Sequence, residues 1–233
     1  MVNSRIFLIM SVVFAVIGVP ANAQLIGNAT PLSVNILGVV GLYADTGQLS
    51  ASGGSLTSSV ASLSLTTGGA LPTTVVTTGL LTGNTVGSGG TVDSDAHVQN
   101  LAALPGLTPA LTLVKADLVE SFAHASGGSR SGSVNITNLQ VLGSTVTVTG
   151  SPNQSYIVPG VLNLTINRQF INSDSSLTVQ ALYLDIIDPL RAGTIIVSSS
   201  TAGVVPEPST GALVALGALL GVSILHRRKT SST

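Results

Sequence analysis

The chain has 233 residues, of which only 7% are charged, and its formal net charge is -1. Proteins that bind nucleic acids cluster Lys and Arg against phosphates, whereas four of the eight basic residues here lie near the two chain ends. This composition argues against a nucleic-acid partner. The lack of cysteine excludes disulfides, thiolate metal sites and a cysteine nucleophile.

The first segment, residues 1–23, is predicted to be a signal-peptide helix. One positive charge precedes the apolar run Ile6–Val19, and small residues follow at Ala21 and Ala23, where signal peptidase reads its substrates. We expect export through the Sec machinery and cleavage before Gln24. A transmembrane helix is the alternative, but the run is shorter than the about 20 apolar residues that such a helix needs.

Residues 24–203 are predicted to form one all-β domain. Pairs of turn-forming residues recur at short intervals in this segment, as they do in sandwiches, barrels and solenoids. These pairs are Gly53-Gly54, Gly68-Gly69, Gly83-Asn84, Gly89-Gly90, Pro105-Gly106, Gly127-Gly128, Pro152-Asn153 and Pro159-Gly160.

Between the turns, apolar and polar side chains alternate with the period of a half-buried strand. In VLNLTINR, the residues Leu162, Leu164 and Ile166 share one face, and in STVTVTG, Val146 and Val148 do the same. The stretch SLTVQALYLDII is apolar on both faces, so it is predicted to be an interior strand.

The segment ALTLVKADLVESFAHA, residues 110–125, fits either a helix or a strand. A strand is favoured because its neighbours are strands, and it would place Val114, Ala116, Leu118 and Phe122 on one face.

These patterns predict a single β-sandwich-like domain. A short β-solenoid is the alternative, because similar segments around Val60, Val98 and Val134 recur at a spacing typical of stacked repeats.

The chain holds no common motif for nucleophilic, nucleotide-binding or zinc-protease chemistry. The weak metal candidate is DSDAH, in which Asp93, Asp95 and His97 alternate and would point to one face as oxygen and nitrogen ligands. A fourth ligand is not evident, so a solvated loop is favoured and no metal or other cofactor is expected. Glu120 and His124 would share a strand face, where a surface pair is favoured over a catalytic acid and base. We expect no enzymatic activity.

Residues 204–229 combine VPEPST, an apolar run and the basic cluster HRRK, in that order, before the tail 230–233. As a helix the run Gly211–Leu225 would span roughly 22 Å, against about 30 Å of hydrocarbon in a bilayer. The prolines would keep the preceding residues extended and outside that helix. Three basic residues would form the membrane stop: Arg227, Arg228 and Lys229.

This order of features resembles the PEP-CTERM sorting signal of bacterial exported proteins. The resemblance implies recognition by an exosortase, a membrane cysteine protease and transpeptidase, through Pro206, Glu207 and Pro208. It also implies that the transmembrane helix over 211–225 holds the chain only until the tail is processed.

The body of the chain, Leu32 to Gly203, is similar to the choice-of-anchor P family, exported domains that carry different C-terminal anchors in different bacteria. The similarity rests on four stretches: LSVNILGVVGL, GSVNITNLQVLGSTVTVTGSPNQSYIVPGVLNLTINRQ, SLTVQALYLDI and GTIIVSSSTAGV. It implies no particular activity, because the family has none established.

Together these features predict an exported, non-enzymatic protein of the bacterial cell surface or extracellular matrix, anchored briefly in the inner membrane. The expected partners are signal peptidase, the Sec machinery, the exosortase, the membrane and exopolysaccharide. The alternative is a carbohydrate- or calcium-binding β domain in the exopolysaccharide layer. Its contacts would be either the DSDAH residues or exposed Tyr43, Tyr156 and Tyr183.

Overall fold

The computed structural model describes residues 23–36, 39–66, 74–104, 112–188 and 192–206. All secondary-structure elements within these ranges are β-strands. The compact unit of the chain is Leu25–Val205. The chain ends make up the other unit, of which Ala23, Gln24 and Pro206 are described. The predicted signal-peptide and transmembrane helices therefore lie outside the described residues. Within those ranges, no helix has the length and apolar character needed to cross a membrane.

The strands of the described residues are numbered in chain order. They are β1 (Ala23–Ile36), β2 (Val39–Tyr43), β3 (Gly54–Val60), β4 (Leu63–Thr66), β5 (Thr74–Thr78), β6 (Leu81–Ser88), β7 (Thr91–Ala103), β8 (Val114–Ser126), β9 (Ser129–Thr137), β10 (Gln140–Val141), β11 (Ser144–Thr145), β12 (Gln154–Val158), β13 (Leu162–Ile171), β14 (Leu177–Ile186) and β15 (Gly193–Pro206).

Six strands form the first sheet, in the order β12-β13-β14-β15-β1-β2. The strands β12 to β15 pair in succession as antiparallel neighbours, and β1 pairs with β2 in the same sense. Most residues of β14 are buried on both faces, which confirms the interior strand predicted from its apolar sequence.

Nine strands form the second sheet, around the long central pair β7 and β8. β7 pairs with β6 along its first part and with β5 at its end, while β8 pairs with β10 at its start and with β9 beyond. The segments around Val60, Val98 and Val134 lie in β3, β7 and β9 of this one sheet. Their antiparallel neighbours do not fit the solenoid alternative, in which successive repeats stack strands in parallel.

The two sheets bury an aliphatic core between them. From the first sheet, β13 contributes Leu162, Leu164 and Ile166, all fully buried as their alternation predicts. From the second sheet, β8 contributes Val114 and Val119 to the same cluster. Burial of such side chains is the main favourable term in folding, so this cluster is the chief source of the stability of the domain.

A second part of the interior is built from small and hydroxyl-bearing side chains. Ser198 donates to the backbone oxygen of Ala96 at 2.6 Å and to the hydroxyl of Ser121 at 3.0 Å. The hydroxyls of Ser121 and Ser200 lie 2.8 Å apart, and all three serines are fully buried. Because these bonds join β15 directly to β7 and β8, the two sheets approach closely here, and larger side chains would not fit.

Three non-glycine residues within the described strands have a left-handed backbone. Asn100 in β7, Asn167 in β13 and Ser198 in β15 have φ angles of 49°, 53° and 59°. At each of them the inward-facing positions of the strand shift by one residue, while the pairing register with the neighbouring strand continues unchanged. These shifts explain why a strict period-2 reading fails over the longest strands.

The structure confirms the strand predicted within residues 110–125 but corrects its faces. Val114 and Ala116 point into the core, whereas Leu118 is half-buried and Phe122 is exposed on the opposite face. The inward positions of β8 change between Ala116 and Val119, opposite the irregularity at Asn100 in β7. The single apolar face predicted for the segment is therefore wrong beyond Ala116.

Two further predictions need correction. The pair Gly83-Asn84 is not a turn but lies inside β6, where Gly83 leaves room for the carbonyl oxygen of Ala44, 3.0 Å from where a Cβ would be. The stretch STVTVTG is a strand only at Ser144–Thr145. Val146, which follows this strand, is nevertheless buried. Its N–H donates to the carbonyl of Leu139 at 2.9 Å, which holds this part of the chain in place.

Candidate functional site

The polar residues that the sequence indicated as candidates, Asp93, Asp95, His97, Glu120 and His124, lie on the outer face of the second sheet. They form part of a polar surface across strands β6 to β9. Two-residue glycine turns join β6 to β7 and β8 to β9. Gly89 and Gly90 have φ angles of 58° and 79°, and Gly127 and Gly128 have 54° and 89°. Positive φ at both central residues is the requirement of the tight hairpin turns that match strand twist. The four glycines thereby set the register of β6 with β7 and of β8 with β9.

Asp93, Asp95 and His97 lie in the strand β7 and not in the solvated loop that was favoured for them. They share the outer face of this strand, as their alternation predicts, because the residues between them are buried. The register of β7 with β8 places Asp93 opposite His124 and His97 opposite Glu120. The expectation that Glu120 and His124 share a strand face is also confirmed. The alternation in the sequence predicts which residues share a face within β7 and within β8. It does not show which residue of β7 stands opposite which residue of β8.

A continuous hydrogen-bonded chain crosses the four strands. Asn84 Nδ2 donates to Asp95 Oδ1 at 3.0 Å, and Asp95 Oδ2 lies 2.8 Å from His97 Nε2. His97 Nδ1 lies 2.7 Å from Glu120 Oε1, and Asn135 Nδ2 donates to Glu120 Oε2 at 2.7 Å. When His97 is protonated, each ring nitrogen donates to a different carboxylate, so the imidazolium bridges β7 and β8.

This bridge shifts two pKa values in opposite directions. The hydrogen bond to Asp95 raises the pKa of His97, burial lowers it, and the bond to Glu120 raises it again, so the pKa lies above its ordinary value. Burial raises the pKa of Asp95, but the hydrogen bonds from His97 and Asn84 outweigh burial and bring it below its ordinary value. Both shifts favour the charged pair.

The thermal stability of the protein should therefore fall as the pH rises above neutrality. A histidine whose pKa is raised in the folded protein stabilises the folded state fully below the ordinary value of 6.5. This stabilisation is lost as the pH rises through the raised pKa. The lowered pKa of Asp95 stabilises fully above 3.8 and is lost as the pH falls. The contact thus contributes most between these two values. Thermal unfolding of the full-length chain, followed by circular dichroism from about pH 6 to about pH 9, measures the loss.

His97→Gln should remove much of this pH dependence, because glutamine keeps a hydrogen-bonding group but cannot be protonated. His124→Gln is the matched control, since His124 Nδ1 also lies 2.7 Å from a carboxylate, that of Asp93, but at the more exposed end of the sheet. Equal pH profiles for His97→Gln and the unsubstituted protein would show that the bridge does not have this role.

The second pair, Asp93 and His124, forms a row with Ser131, which stands opposite His124 on β9. Asp, His and Ser in a row are the residue types of serine hydrolases. In those enzymes, however, the carboxylate is buried, whereas the side chains of Asp93 and His124 are 63% and 45% exposed. His97 in turn has both ring nitrogens in contact with carboxylates. Neither histidine is placed as the general base of such a mechanism.

A shallow depression of about 450 Å³ lies over strands β7, β8 and β9, beside His124. Its outer lining is Asp93, Asp95, Phe122, His124, Ser131 and Ser133. Phe122 belongs to this lining, and its ring and the His97 ring form a T-shaped contact, with centroids 5.7 Å apart and planes at 80°. The depression therefore combines one aromatic surface with carboxylate and hydroxyl groups.

The structure separates the weak metal candidates into different pairs. Asp93 contacts His124, whereas Asp95 contacts His97, so the three DSDAH residues do not converge. Among the described residues, no group of three or more His, Asp or Glu side chains is arranged to hold a metal ion.

The three tyrosines named as alternative contacts are not brought together. Tyr43 in β2 and Tyr156 in β12 lie at opposite edges of the first sheet, and both pack against the core. Tyr183 lies in the middle of that sheet, with the Arg168 guanidinium 4.2 Å from its ring centroid. They do not form one surface.

Sequence reasoning missed the two amides that end the hydrogen-bonded chain. Asn84 was assigned to a turn, and no contact was predicted for Asn135. Both lie on the outer faces of strands next to acidic residues, but only the register shows that Asn84 faces Asp95 and Asn135 faces Glu120.

The predicted processing residues lie at the limits of the described chain. Ala23 and Gln24 begin β1, and Pro206 ends β15. The remaining ones lie outside the described residues: Ala21, Glu207, Pro208, Arg227, Arg228 and Lys229.

The described chain is thus an all-β domain of two open antiparallel sheets, with a polar face on one of them. A family model of the PEP-CTERM protein-sorting motif matches residues 204–229, which confirms the sorting signal predicted there. This motif implies an exported protein that is anchored transiently in the membrane and sorted by an exosortase. Its first residues, 204–206, belong to β15. No curated protein and no solved structure matches the chain.

Proposed function

We propose that the protein is a non-enzymatic component of the bacterial cell surface or extracellular matrix, whose tail an exosortase removes or transfers. The observation that carries this proposal is the sorting motif at residues 204–229. A sorting signal concerns delivery, so the mature product is the folded domain that precedes it. The proposal includes that the folded domain is of the choice-of-anchor P family, which the sequence of residues 32–203 resembles.

The chemistry of the described residues supports a role without catalysis. His97 is held by Asp95 and Glu120, and the exposed pair Asp93 and His124 lacks the burial that would orient a catalytic histidine. The chain as a whole carries few charges, so its surface depends on Ser, Thr, Asn and Gln for solubility. Such a surface is typical of proteins that work within a polysaccharide layer.

The proposed order of events follows from the two ends of the chain. Signal peptidase cleaves before Gln24, at the start of β1, and the apolar segment Gly211–Leu225 stops in the membrane. Because this segment would span only roughly 22 Å as a helix, it would be a marginal anchor and suits a transient stop. The exosortase then acts through Pro206, Glu207 and Pro208.

The intact mass of the protein recovered from the cell surface tests this proposal. We expect a mass that lacks residues 1–23 and Gly211–Thr233. Glu207→Gln should abolish or strongly reduce tail processing, so that the full-length tail accumulates in the membrane fraction. Glu120→Gln is the matched control, because it makes the same chemical change at the other glutamate of the chain and should leave processing unchanged.

Recovery of surface protein with its complete tail would overturn the processing part of the proposal. Equal processing of the Glu207→Gln variant and the unsubstituted protein would overturn the role of the PEP residues.

A further inference from the structure

We propose that the depression around Phe122 binds an uncharged polysaccharide chain, with the Phe122 ring as the stacking surface for a pyranose. The proposal concerns the folded domain and is independent of how the tail is processed. A sugar ring has one apolar C–H face and a rim of hydroxyl groups. A site for it needs an exposed aromatic ring surrounded by hydrogen-bonding groups, and the depression supplies both.

The aromatic surface is exposed and held in place. Phe122 lies in the middle of β8 on the outer face, with 38% of its surface exposed. Its ring meets the edge of the His97 ring, and His97 is fixed in turn between the carboxylates of Asp95 and Glu120. The ring therefore does not have to be ordered when a ligand binds, which lowers the entropic cost of association.

Hydrogen-bonding groups flank the ring on both neighbouring strands. The register places Asp95 opposite Phe122 on β7, and Ser133 opposite Phe122 on β9. Carboxylates accept bonds from sugar hydroxyls, while serine hydroxyls both donate and accept. The bond from Asn84 and the contact with His97 hold the Asp95 carboxylate in one orientation, so it is preorganised for a ligand.

The charge of the depression selects against acidic polysaccharides. Its lining contains the carboxylates of Asp93 and Asp95 but neither lysine nor arginine. A uronate or sulfate group would meet these carboxylates, one of which already occupies His124, and like-charge contacts reduce binding. The ligand class that remains is a neutral chain of hexoses or N-acetylhexosamines.

The shape of the depression favours a polymer over a small molecule. It is open on a flat sheet, so a ligand would lie across the strands and not be enclosed. Individual contacts of this kind are weak, and several copies of the protein on one polysaccharide would raise the overall avidity. This mode of binding suits retention in a polysaccharide layer.

Titration calorimetry on the full-length chain tests the proposal. The chain is kept in a polyoxyethylene detergent, because detergents with sugar headgroups would compete. The probes are cellohexaose, isomaltohexaose and the hexamer of N-acetylglucosamine as neutral ligands, and oligogalacturonate as the acidic one. We expect at least one neutral probe to bind and oligogalacturonate not to bind.

Phe122→Ala should weaken binding of the neutral probe at least tenfold. The matched control is Phe170→Ala, since Phe170 lies on the other sheet and is 37% exposed, close to the value for Phe122. It should change affinity less than twofold. Ser133→Tyr gives a second test, because it leaves Phe122 in place and fills the depression at the cost of the Ser133 hydroxyl. It should also abolish binding of the neutral probe, and it replaces Phe122→Ala as the test if that variant fails to fold.

Three results would overturn the proposal. These are the failure of every neutral probe to bind, tighter binding of oligogalacturonate than of any neutral probe, and equal effects of the Phe122 and Phe170 substitutions. None of them bears on the intact mass of the surface protein, so failure here is distinguishable from failure of the proposed function.

Discussion

Leu184→Ala should lower the free energy of unfolding by about 2–5 kcal/mol, the range for a buried leucine that leaves a cavity. Leu184 lies in β14 between Leu164 of β13 and Ile195 of β15, and all three side chains are fully buried. These neighbours are held by strand pairing on both sides, so they cannot move into the space that the truncation leaves. This places the expected cost toward the upper part of the range.

Urea unfolding of the full-length chain in detergent, followed by far-ultraviolet circular dichroism, measures the change. The chain has no tryptophan, so fluorescence gives a weaker signal. Leu42→Ala is the matched control in the same sheet, because Leu42 is 59% exposed and its loss should cost no more than about 0.5 kcal/mol. Equal losses for the two variants would contradict the placement of the core between the sheets.

Gly27→Ala should destabilise the protein by about 1–3 kcal/mol, although alanine is the better residue for an ordinary strand. A Cβ at Gly27 would lie 2.6 Å from Cγ2 of Thr85 and 2.9 Å from Cγ1 of Val92. Both neighbours are fully buried in the second sheet, whereas Gly27 lies in β1 of the first. The added methyl group would therefore push the sheets apart where serines otherwise hold them together.

Thr85→Ser provides the test of this explanation. It removes the methyl group that the new Cβ would meet, while keeping the hydroxyl that lies 3.4 Å from the Thr46 hydroxyl. In the double variant Gly27→Ala/Thr85→Ser, part of the lost stability should return, as unfolding free energies in a double-mutant cycle would show. Strictly additive losses would mean that Gly27→Ala acts in some other way.

These two predictions describe an interior with two different halves. The half around Leu184 is stabilised by aliphatic burial, so it loses stability when volume is removed. The half around Gly27 is packed closely through small residues and serine hydrogen bonds, so it loses stability when volume is added. A single strand such as β15 takes part in both halves, and the left-handed Ser198 lies between them.

Much of the fold follows from local chemistry. The alternation of Leu162, Leu164 and Ile166 with polar residues predicts a half-buried strand, and the glycine pairs at 89–90 and 127–128 predict tight hairpins. These signals are local, because strand period and positive φ depend on a few neighbouring residues. They do not reveal where a strand changes its inward face, since that depends on local backbone irregularities such as the left-handed Asn100.

The candidate site likewise has one part that local sequence predicts and one part that depends on strand pairing. Alternation alone placed Asp95 and His97 on one face and Glu120 on the matching face of a second strand. It did not identify the partner of His97, because strand pairing over 23 residues depends on register and not on neighbouring sequence. It also misassigned Asn84, since a Gly-Asn pair has the same local preferences in a turn and at a close contact between strands.

The sequence by itself determined the all-β class of the described chain and its sorting motif. Both can be identified from the order of residues within short contiguous segments. It likewise determined that Asp93, Asp95 and His97 share one face. Only the tertiary structure decided that Asp93 binds His124 and Asp95 binds His97, and that Phe122 lies exposed between these pairs. The physical reason is that side chains from distant segments of the chain come together only when their strands pair in the correct register.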